Sequence, residues 1–383
     1  MSHPVNLAYQ QSIVDAAGRF ARENIFPYAA EFEINEALPG ELIKAMGDKG
    51  YLAASFPREY AGLGLDPCHY GLFTEEIGKG CCSTRGLITV HTSLVGETLL
   101  KWGNEDQKRR WLPLMAKGEK LACFALSEPD TGSDAKALRT TCRPVDGMYV
   151  LDGVKKWITC GDIADLFLII ARDEDRISAF IVERGTEGLS TKPIKGLLAG
   201  RASHMAEVNL NKVMVPRENL IGAEGGGFSY IVNTALDHGR YSIAWAGVAI
   251  AQSAVDAMVN YARTRYQFGK ELHHFQLIQG MIADAVTKVH SARALCLHAG
   301  RLRKEGHEDA MVETSIAKYF SSRIAMEIAV DAVQVHGANG CHNGYPVERL
   351  FREAKVLEII EGTSQIQQQV IAQYALNRYY EKK

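Results

Sequence analysis

The strongest constraint on the fold is that the spacing of apolar residues changes period twice along the chain. Up to about residue 120 they recur at three- and four-residue intervals, the pattern of helices that bury one face. Gln11 to Ile25 carries Ile13, Val14, Ala17, Phe20 and Ala21 on one side and meets Pro27 at its end, and Leu42 to Met46, Tyr70 to Ile77 and Thr92 to Trp102 read the same way. The pattern then turns into short β-like runs: Leu121 to Leu126, Arg139 to Val145, Met148 to Leu151, Val154 to Thr159, Leu166 to Ala171, Ile177 to Glu183, Leu189 to Lys192, Ala206 to Leu210 and Val213 to Val215. Asp146-Gly147 and Asp152-Gly153 are hairpin signals between them. Eight or more strands with no helical stretch in between predict an antiparallel sandwich or barrel, not a βαβ sheet. After Ile221-Gly-Ala-Glu-Gly-Gly-Gly227 the helical period returns and stays, in Phe228 to Asp237, Tyr241 to Arg265, Phe275 to Glu305, Asp309 to Val335, Val347 to Ile360 and Gln365 to Tyr380. The expectation is an α+β chain in three domains: N-terminal helical (1–120), β (121–226) and a C-terminal four-helix-bundle-like domain (227–383).

Composition mainly excludes. The 43 Lys and Arg nearly balance the 45 Asp and Glu, so no electrostatic field points to nucleic acid or an anionic membrane. No apolar stretch is expected to reach the roughly 20 residues that span a bilayer, and Met1-Ser-His-Pro-Val-Asn-Leu does not read as a signal peptide. The eight cysteines include the pair Cys81-Cys82 but no Cys-x-x-Cys, and the twelve histidines have no metal spacing. A cytoplasmic protein with reduced thiols and no metal is expected.

One corner stands out chemically. Phe351 to Ile360 reads as a helix, Gly362 is its left-handed stop, and Ser364-Gln-Ile-Gln367 fits a capping box that starts the next helix. Glu361 then lies beside the negative end of a helix dipole, which raises its proton affinity and suits a base. The plain alternative is a solvated residue at a helix end.

The other motifs also have plain local readings. Phe124-Ala-Leu-Ser-Glu-Pro-Asp-Thr-Gly-Ser133 is a strand breaking into a polar loop, and Trp157, in Lys156-Trp-Ile-Thr159, has the core position usual for a strand indole. Gly222 to Gly227 lacks the strand-turn-helix setting of a phosphate cradle and reads as a junction. Asp237, in Asp-His-Gly-Arg240, reads as the N-cap of the helix that follows. Arg263-Thr-Arg265 ends that helix, where the dipole alone favours arginine.

Taken in order, these segments resemble the acyl-CoA dehydrogenase flavoproteins. The segments that carry the resemblance are Ser127-Glu-Pro-Asp-Thr-Gly-Ser-Asp134, Trp157-Ile-Thr159, Asp237-His-Gly-Arg240, Arg265-Tyr-Gln-Phe-Gly followed by Phe275-Gln276, Gln334-Val-His-Gly337-Ala338-Asn-Gly340, and Ile360-Glu-Gly-Thr-Ser-Gln365. The resemblance implies bound FAD, lined by Phe124, Ala125, Leu126, Ser127, Thr131, Gly132, Ser133, Trp157, Ile158 and Thr159, with Thr363, Ser364 and Gln365 holding it against the base. It implies that Arg265, Phe268, Gln276, Gln334, Val335, His336, Gly337 and Ala338 meet the pyrophosphate and adenosine end, across a subunit interface of a homotetramer or homodimer. Ser133, Asp237, Arg240 and Gly362 would contact an acyl thioester of CoA or an acyl carrier protein. Glu361 would remove the α-proton while the β-hydrogen leaves as hydride to flavin N5, and electrons would pass on to an electron-transferring flavoprotein or to oxygen. Some relatives put the base just before the arginine of the Asp-x-Gly-Arg element; Gly239 stands there in this chain, which leaves Glu361.

The chain also departs from the family pattern in several places. Ala61 and Ala338 replace family glycines, Cys160 follows Thr159 where the family often has asparagine, and Trp245 fills a position normally small. Of these, Trp245, together with Leu198 to Leu210, Cys82-Ser-Thr-Arg85 and Glu358-Ile-Ile-Glu-Gly362, resembles antibiotic-pathway dehydrogenases that oxidise three-carbon hydroxyacyl or aminoacyl groups on a carrier protein, giving hydroxymalonyl- or aminomalonyl-type extender units. Flavin monooxygenases share the fold but commonly lack a base at the Glu361 position, and the charge balance gives no support to a DNA-binding relative.

Overall fold

In the computed structural model, which describes residues 7–380, the chain opens with helices α1 (Leu7–Asn24), α2 (Ala29–Asn35), α3 (Gly40–Asp48), α4 (Pro67–Gly78), α5 (Cys82–Ile88), α6 (Glu97–Trp102) and α7 (Glu105–Ala116). The face of α1 that the spacing selects is the buried one: Ile13, Val14, Ala17, Phe20 and Ala21 all face inward. Asn104 and Gln107 close a reciprocal capping box at the start of α7. Between α5 and α6 the residues Thr89–Gly96 form a π-helical turn, and all of them are buried. Such turns recur at functional sites.

The strands β1 (Ala122–Ala125), β2 (Thr141–Val145), β3 (Met148–Ile158), β4 (Leu166–Asp173), β5 (Arg176–Glu183), β6 (Leu189–Pro193) and β7 (Ala206–Pro216) make one seven-stranded sheet, in the order β1-β4-β2-β3-β7-β6 with β5 also on β4. Asp146-Gly147 is the β2–β3 hairpin, both residues at positive φ. Asp152-Gly153 is not a turn: β3 runs through it with a bulge, so two expected strands are one. Gly153 serves a close approach instead, since a Cβ there would lie 2.6 Å from Thr140 Oγ1. The strand β7 likewise continues past Lys212, which takes φ 52° at the register shift. The pairing is mixed, not wholly antiparallel, because the chain returns from β3 to lay β4 parallel to β1.

The C-terminal part comprises α8 (Asn233–Thr264), a small hairpin of β8 (Tyr266–Gln267) and β9 (Lys270–Glu271), then α9 (Gln276–Glu305), α10 (Ala310–His336), α11 (Pro346–Leu357) and α12 (Ser364–Arg378). The break expected at Asp237 to Arg240 is absent: α8 passes straight through, so Asp237 is not an N-cap. With the π-helical turn before it, Gly227–Thr264 is long and apolar enough to cross a membrane, which corrects the expectation that no stretch reaches that length. Its apolar window is 72% buried inside the molecule, as in the central helix of a bundle. The apolar core falls into two clusters. One joins the N-terminal helices to the sheet, and the other is built on α8, α9, α10 and α11, with Cys82 of α5 at its edge. The eight cysteines are free.

Candidate active site

The corner between α11 and α12 is built tightly. Glu361 takes φ 53° and Gly362 φ 85°, so two consecutive residues are left-handed. For a glutamate this costs on the order of 1–2 kcal/mol, and its neighbours hold it there. Lys318 Nζ, from the middle of α10, donates to the Gly362 carbonyl at 2.8 Å. Gln367 Nε2 donates to the Glu361 carbonyl at 3.1 Å and to that of Gly362 at 3.2 Å. The cap of α12 is Thr363, whose Oγ1 accepts from the Ile366 N–H, so the expected Ser364 capping box is displaced by one residue. Gln367 is drawn away from it to donate to the two carbonyls of the left-handed turn.

Glu361 Oε2 is buried and has no hydrogen-bond partner among the described residues. It faces the second turn of α8 at Gly239, where a Cβ would meet Oε2 and lie 2.8 Å from Cδ, with Leu94 Cδ1 of the π-helical turn 3.2 Å away. Burial pushes the carboxyl up to about 7, against the opposing pull of Arg240, Lys318 and Arg85. Loss of water thus raises its proton affinity, where the sequence suggested a helix end. Burial also lowers Lys318 to about 8 and draws Arg240 down, and Arg240 Nε is buried without a hydrogen-bond partner among the described residues. The Asp-x-Gly-Arg element is split: Asp237 pairs with Arg303 of α9 at 2.8 Å, while Arg240 acts on Glu361. Lys318 and Arg85 were not singled out for this site; the only sequence signal is a cation inside an otherwise buried segment.

The polar loop after β1 and the end of β3 lie together. Phe124, Ala125 and Leu126 are buried, and the Ser127 carbonyl accepts from the Lys156 N–H at 2.9 Å, beside Trp157, Ile158 and Thr159. Glu128 and Thr131 exchange main-chain hydrogen bonds around the turn, leaving Gly132 and Ser133 exposed after it. The loop is anchored by a buried ion pair that sequence reasoning missed. Glu128 accepts from Lys155 Nζ at 2.8 Å, from Thr140 Oγ1 at 2.6 Å and from the Thr140 and Arg139 N–H groups. The core reading of Trp157 is overturned: the indole is 51% exposed and its φ is 63°, because a register shift in β3 turns it out of the alternation.

A third group lies elsewhere. Arg265, Val335, His336, Gly337 and Ala338 line one surface cavity of about 240 Å³. His336, buried, stacks on Tyr261 at 4.1 Å and hydrogen-bonds the Ala332 carbonyl at 2.8 Å, and burial lowers its pKa. Gln334 and Gln276 are exposed nearby in sequence but do not line the cavity, and Phe268, at the tip of the β8–β9 hairpin, is 93% exposed. Among the described residues no hydrogen bond or ring contact joins this cavity to the Trp157 loop. Thr363, Ser364 and Gln365 follow the Glu361-Gly362 corner, and of the three only Gln365 is exposed.

The chain matches the descriptions "Acyl-CoA dehydrogenase, N-terminal domain" over residues 8–119, "middle domain" over 123–213 and "C-terminal domain" over 225–376. It is 40% identical to an acyl-CoA dehydrogenase of Bacillus subtilis over 93% of this chain and 95% of that one. Its fold is similar to that of butyryl-CoA dehydrogenase from Megasphaera elsdenii, with TM-score 0.93 and 32% identity over 98% of this chain and 100% of the other. It is also similar to FkbI, described as serving biosynthesis of the methoxymalonyl extender unit of Fk520, with TM-score 0.87 and 32% identity over 96% of this chain and 99% of the other. Three family segments in order and this degree of identity make the conclusion plain: the chain belongs to the acyl-CoA dehydrogenase family, FAD-dependent oxidoreductases that act on CH–CH bonds.

Proposed function

We propose that this protein is an FAD-dependent acyl-thioester dehydrogenase in which Glu361 removes the α-proton of the acyl group. The observation that carries the reading is the buried, unpartnered Oε2 of Glu361, held in a left-handed corner with its pKa pushed to about 7. A base of that kind is half ionised near neutral pH and has an oxygen free for a proton, which typically contributes about 10²–10⁴-fold in rate. Arg240 and Lys318 keep burial from neutralising it altogether. Gly239 leaves room for the carboxylate, with the Leu94 side chain packed beside the same point. The Glu361 main-chain N–H forms no hydrogen bond among the described residues, which leaves it able to stabilise charge developing on a thioester carbonyl.

The residues present fit FAD. A half-exposed indole stands beside the loop bearing Ser127 and Ser133 and the Thr159 hydroxyl, a surface suited to a planar polar ring. When bound, FAD supplies the acceptor for the hydride that leaves the β-carbon. Phe124, Ala125, Leu126, Ser127, Thr131, Gly132, Ser133, Trp157, Ile158, Thr159, Thr363, Ser364 and Gln365 would hold its ring end, and Arg265, Phe268, Gln276 and Gln334 to Ala338 its pyrophosphate and adenosine end from a second subunit. The bare Phe268 and Leu277, 93% and 86% exposed, support coverage by another copy in a homodimer or homotetramer. Ser133, Asp237, Arg240 and Gly362 would contact the thioester. The division into 1–120, 121–226 and 227–383, a cytoplasmic location, and electron transfer to an electron-transferring flavoprotein or to oxygen belong to the same reading.

A second reading is favoured by the likeness to FkbI: the acyl group is a three-carbon hydroxyacyl or aminoacyl unit on a carrier protein. One experiment tests both. FAD-loaded protein is mixed without oxygen with butyryl-CoA and with hydroxyacyl-loaded carrier protein, and the visible flavin band is followed. Bleaching by one of them, lost in Glu361→Gln, is the expected outcome. No bleaching by either, or a variant as fast as the parent, overturns the proposal.

A further inference from the structure

A second cavity, of about 350 Å³, opens where the N-terminal helices, the sheet and the C-terminal helices meet, between α2, the loop that carries Arg201 and the start of α11. It shares no residue with the candidate active site, and its size suits a small organic molecule. Arg201, Arg349 and Arg352 line it together with Glu33 and Glu348. Both glutamates already have a cation. Arg352 donates to Glu348 at 2.8 and 3.1 Å, lies 3.4 Å from Glu33, and donates to the Leu198 carbonyl at 2.8 Å. Arg201 and Arg349 belong to none of the ion pairs among the described residues. Arg201 Nε donates to the Leu197 carbonyl at 2.8 Å, and Nη1 of Arg349, which is 8% exposed, donates to the Gly80 carbonyl at 2.8 Å. A guanidinium has five donors, so most of each fork has no acceptor among the described residues. Behind Arg349 and outside the cavity, Glu353 feels its charge but makes no hydrogen bond with it, and burial pushes that carboxyl up to about 7. Arg349 therefore lacks a full counterion at neutral pH.

The opposite wall is apolar. Phe26, Ala30 and Ile34 recur at four-residue spacing through α2 and the turn before it, which puts them on one face, and all three line the cavity. Phe26 packs against the segment that holds Arg349, since a Cβ on Gly80 would collide with the Phe26 ring. Ile34, 71% exposed, carries the apolar face out to the rim. At the other edge Tyr345 and Pro346 begin α11, which no side chain caps, so the positive end of its dipole opens onto the same space.

We propose that this cavity binds a small organic oxyanion: a carboxylate or phosphate held by the free donors of Arg201 and Arg349, on an apolar body that lies against Phe26 and Ile34. A bare inorganic anion would leave the apolar wall uncovered. A neutral apolar molecule would leave the two guanidiniums without an acceptor. Because all three parts of the chain contribute to the lining, the bound molecule holds them together and stabilises the folded protein by mass action.

The test is calorimetric titration of the FAD-loaded, full-length protein with phenyl phosphate, benzoate, inorganic phosphate and phenol. Phenyl phosphate or benzoate is expected to bind about tenfold tighter or more than both inorganic phosphate and phenol, and to raise the melting temperature as the site fills. The tighter of the two tells a phosphate ester from a carboxylic acid as the ligand. Arg349→Gln is expected to weaken that binding about tenfold or more. Should this variant fail to fold, Ile34→Glu decides: the side chain is exposed, so the fold is kept, and a carboxylate at the rim is expected to weaken the anion about threefold or more. No binding by either aromatic anion, inorganic phosphate or phenol binding as tightly as they do, or an affinity unchanged in both variants overturns the proposal. Each of these results leaves the role of Glu361 standing, since that role is read from flavin bleaching and not from this cavity.

Discussion

Gly239→Ala separates the position of the base from the stability of the fold. The residue lies inside a helix of 32 residues, where alanine is favoured over glycine by about 0.5–1 kcal/mol. The new Cβ would meet Glu361 Oε2 and lie 2.8 Å from Cδ, against the roughly 3.5–4.0 Å of an ordinary carbon contact. The carboxylate must therefore move by about 1 Å, and a displacement of that size at a reacting group costs on the order of 10²-fold. The obstacle is the end of a side chain and not backbone, so overpacking should stay at the low end of about 1–3 kcal/mol and nearly cancel the helical gain. The expected result is kcat down about a hundredfold, with flavin content retained and unfolding free energy within about 1 kcal/mol of the parent. Steady-state kinetics with butyryl-CoA and urea unfolding on the same preparation provide both numbers. An alanine variant with kcat within twofold of the parent would refute the claim that the reaction uses the Glu361 carboxylate where it now lies. A large loss of stability would instead make Gly239 a packing residue.

Two further outcomes follow from the buried charges. Glu361 titrates near 7 in the folded chain against an ordinary value of 4.5, so the folded state binds its proton more tightly and loses stability as pH rises through that interval. Turnover should rise over the same interval as the base ionises. Glu361→Gln should abolish turnover yet melt at a higher temperature than the parent at pH 8, with the gain fading toward the acid end of that interval; equal shifts at both ends would contradict the assignment. Lys155→Met strands Glu128 and its cluster of donors without their cation, and breaking a buried pair typically costs about 3–5 kcal/mol. Chemical denaturation should record a loss of that order together with weaker FAD retention, and a variant as stable as the parent would mean that the pair does not anchor the loop.

The features that the sequence disclosed are those fixed by local spacing. The inward face of α1, the α-β-α order and the corner at Glu361 follow from apolar period and from Gly362 as a stop. Features set by approach between distant segments were not visible. Asp152-Gly153 has the composition of a hairpin, but Thr140, not a turn, requires its glycine. Asp237 has the look of a cap only while Arg303, on another helix, is out of view. Nothing local announces that Glu361 itself adopts the left-handed conformation, because the restraint comes from Lys318 in α10 and Gln367 in α12.

The same long-range pairing orders the buried cations. Lys155, 0% exposed, has a carboxylate at 2.8 Å, and its work is to fix a loop. Lys318, equally buried, has the main-chain carbonyl of Gly362 at 2.8 Å and acts on Glu361 through space. Arg85 has a threonine hydroxyl and a neutral thiol. A cation that serves only the fold is expected to carry its own counterion, since desolvation otherwise costs several kcal/mol. Compensation from within the protein weakens from Lys155, remote from the base, to Lys318 and Arg85, whose charges reach Glu361. The charge that Lys318 and Arg85 do not spend on a counterion of their own is then available to the ionised Glu361 carboxylate, so the desolvation cost of these cations is offset when that group ionises.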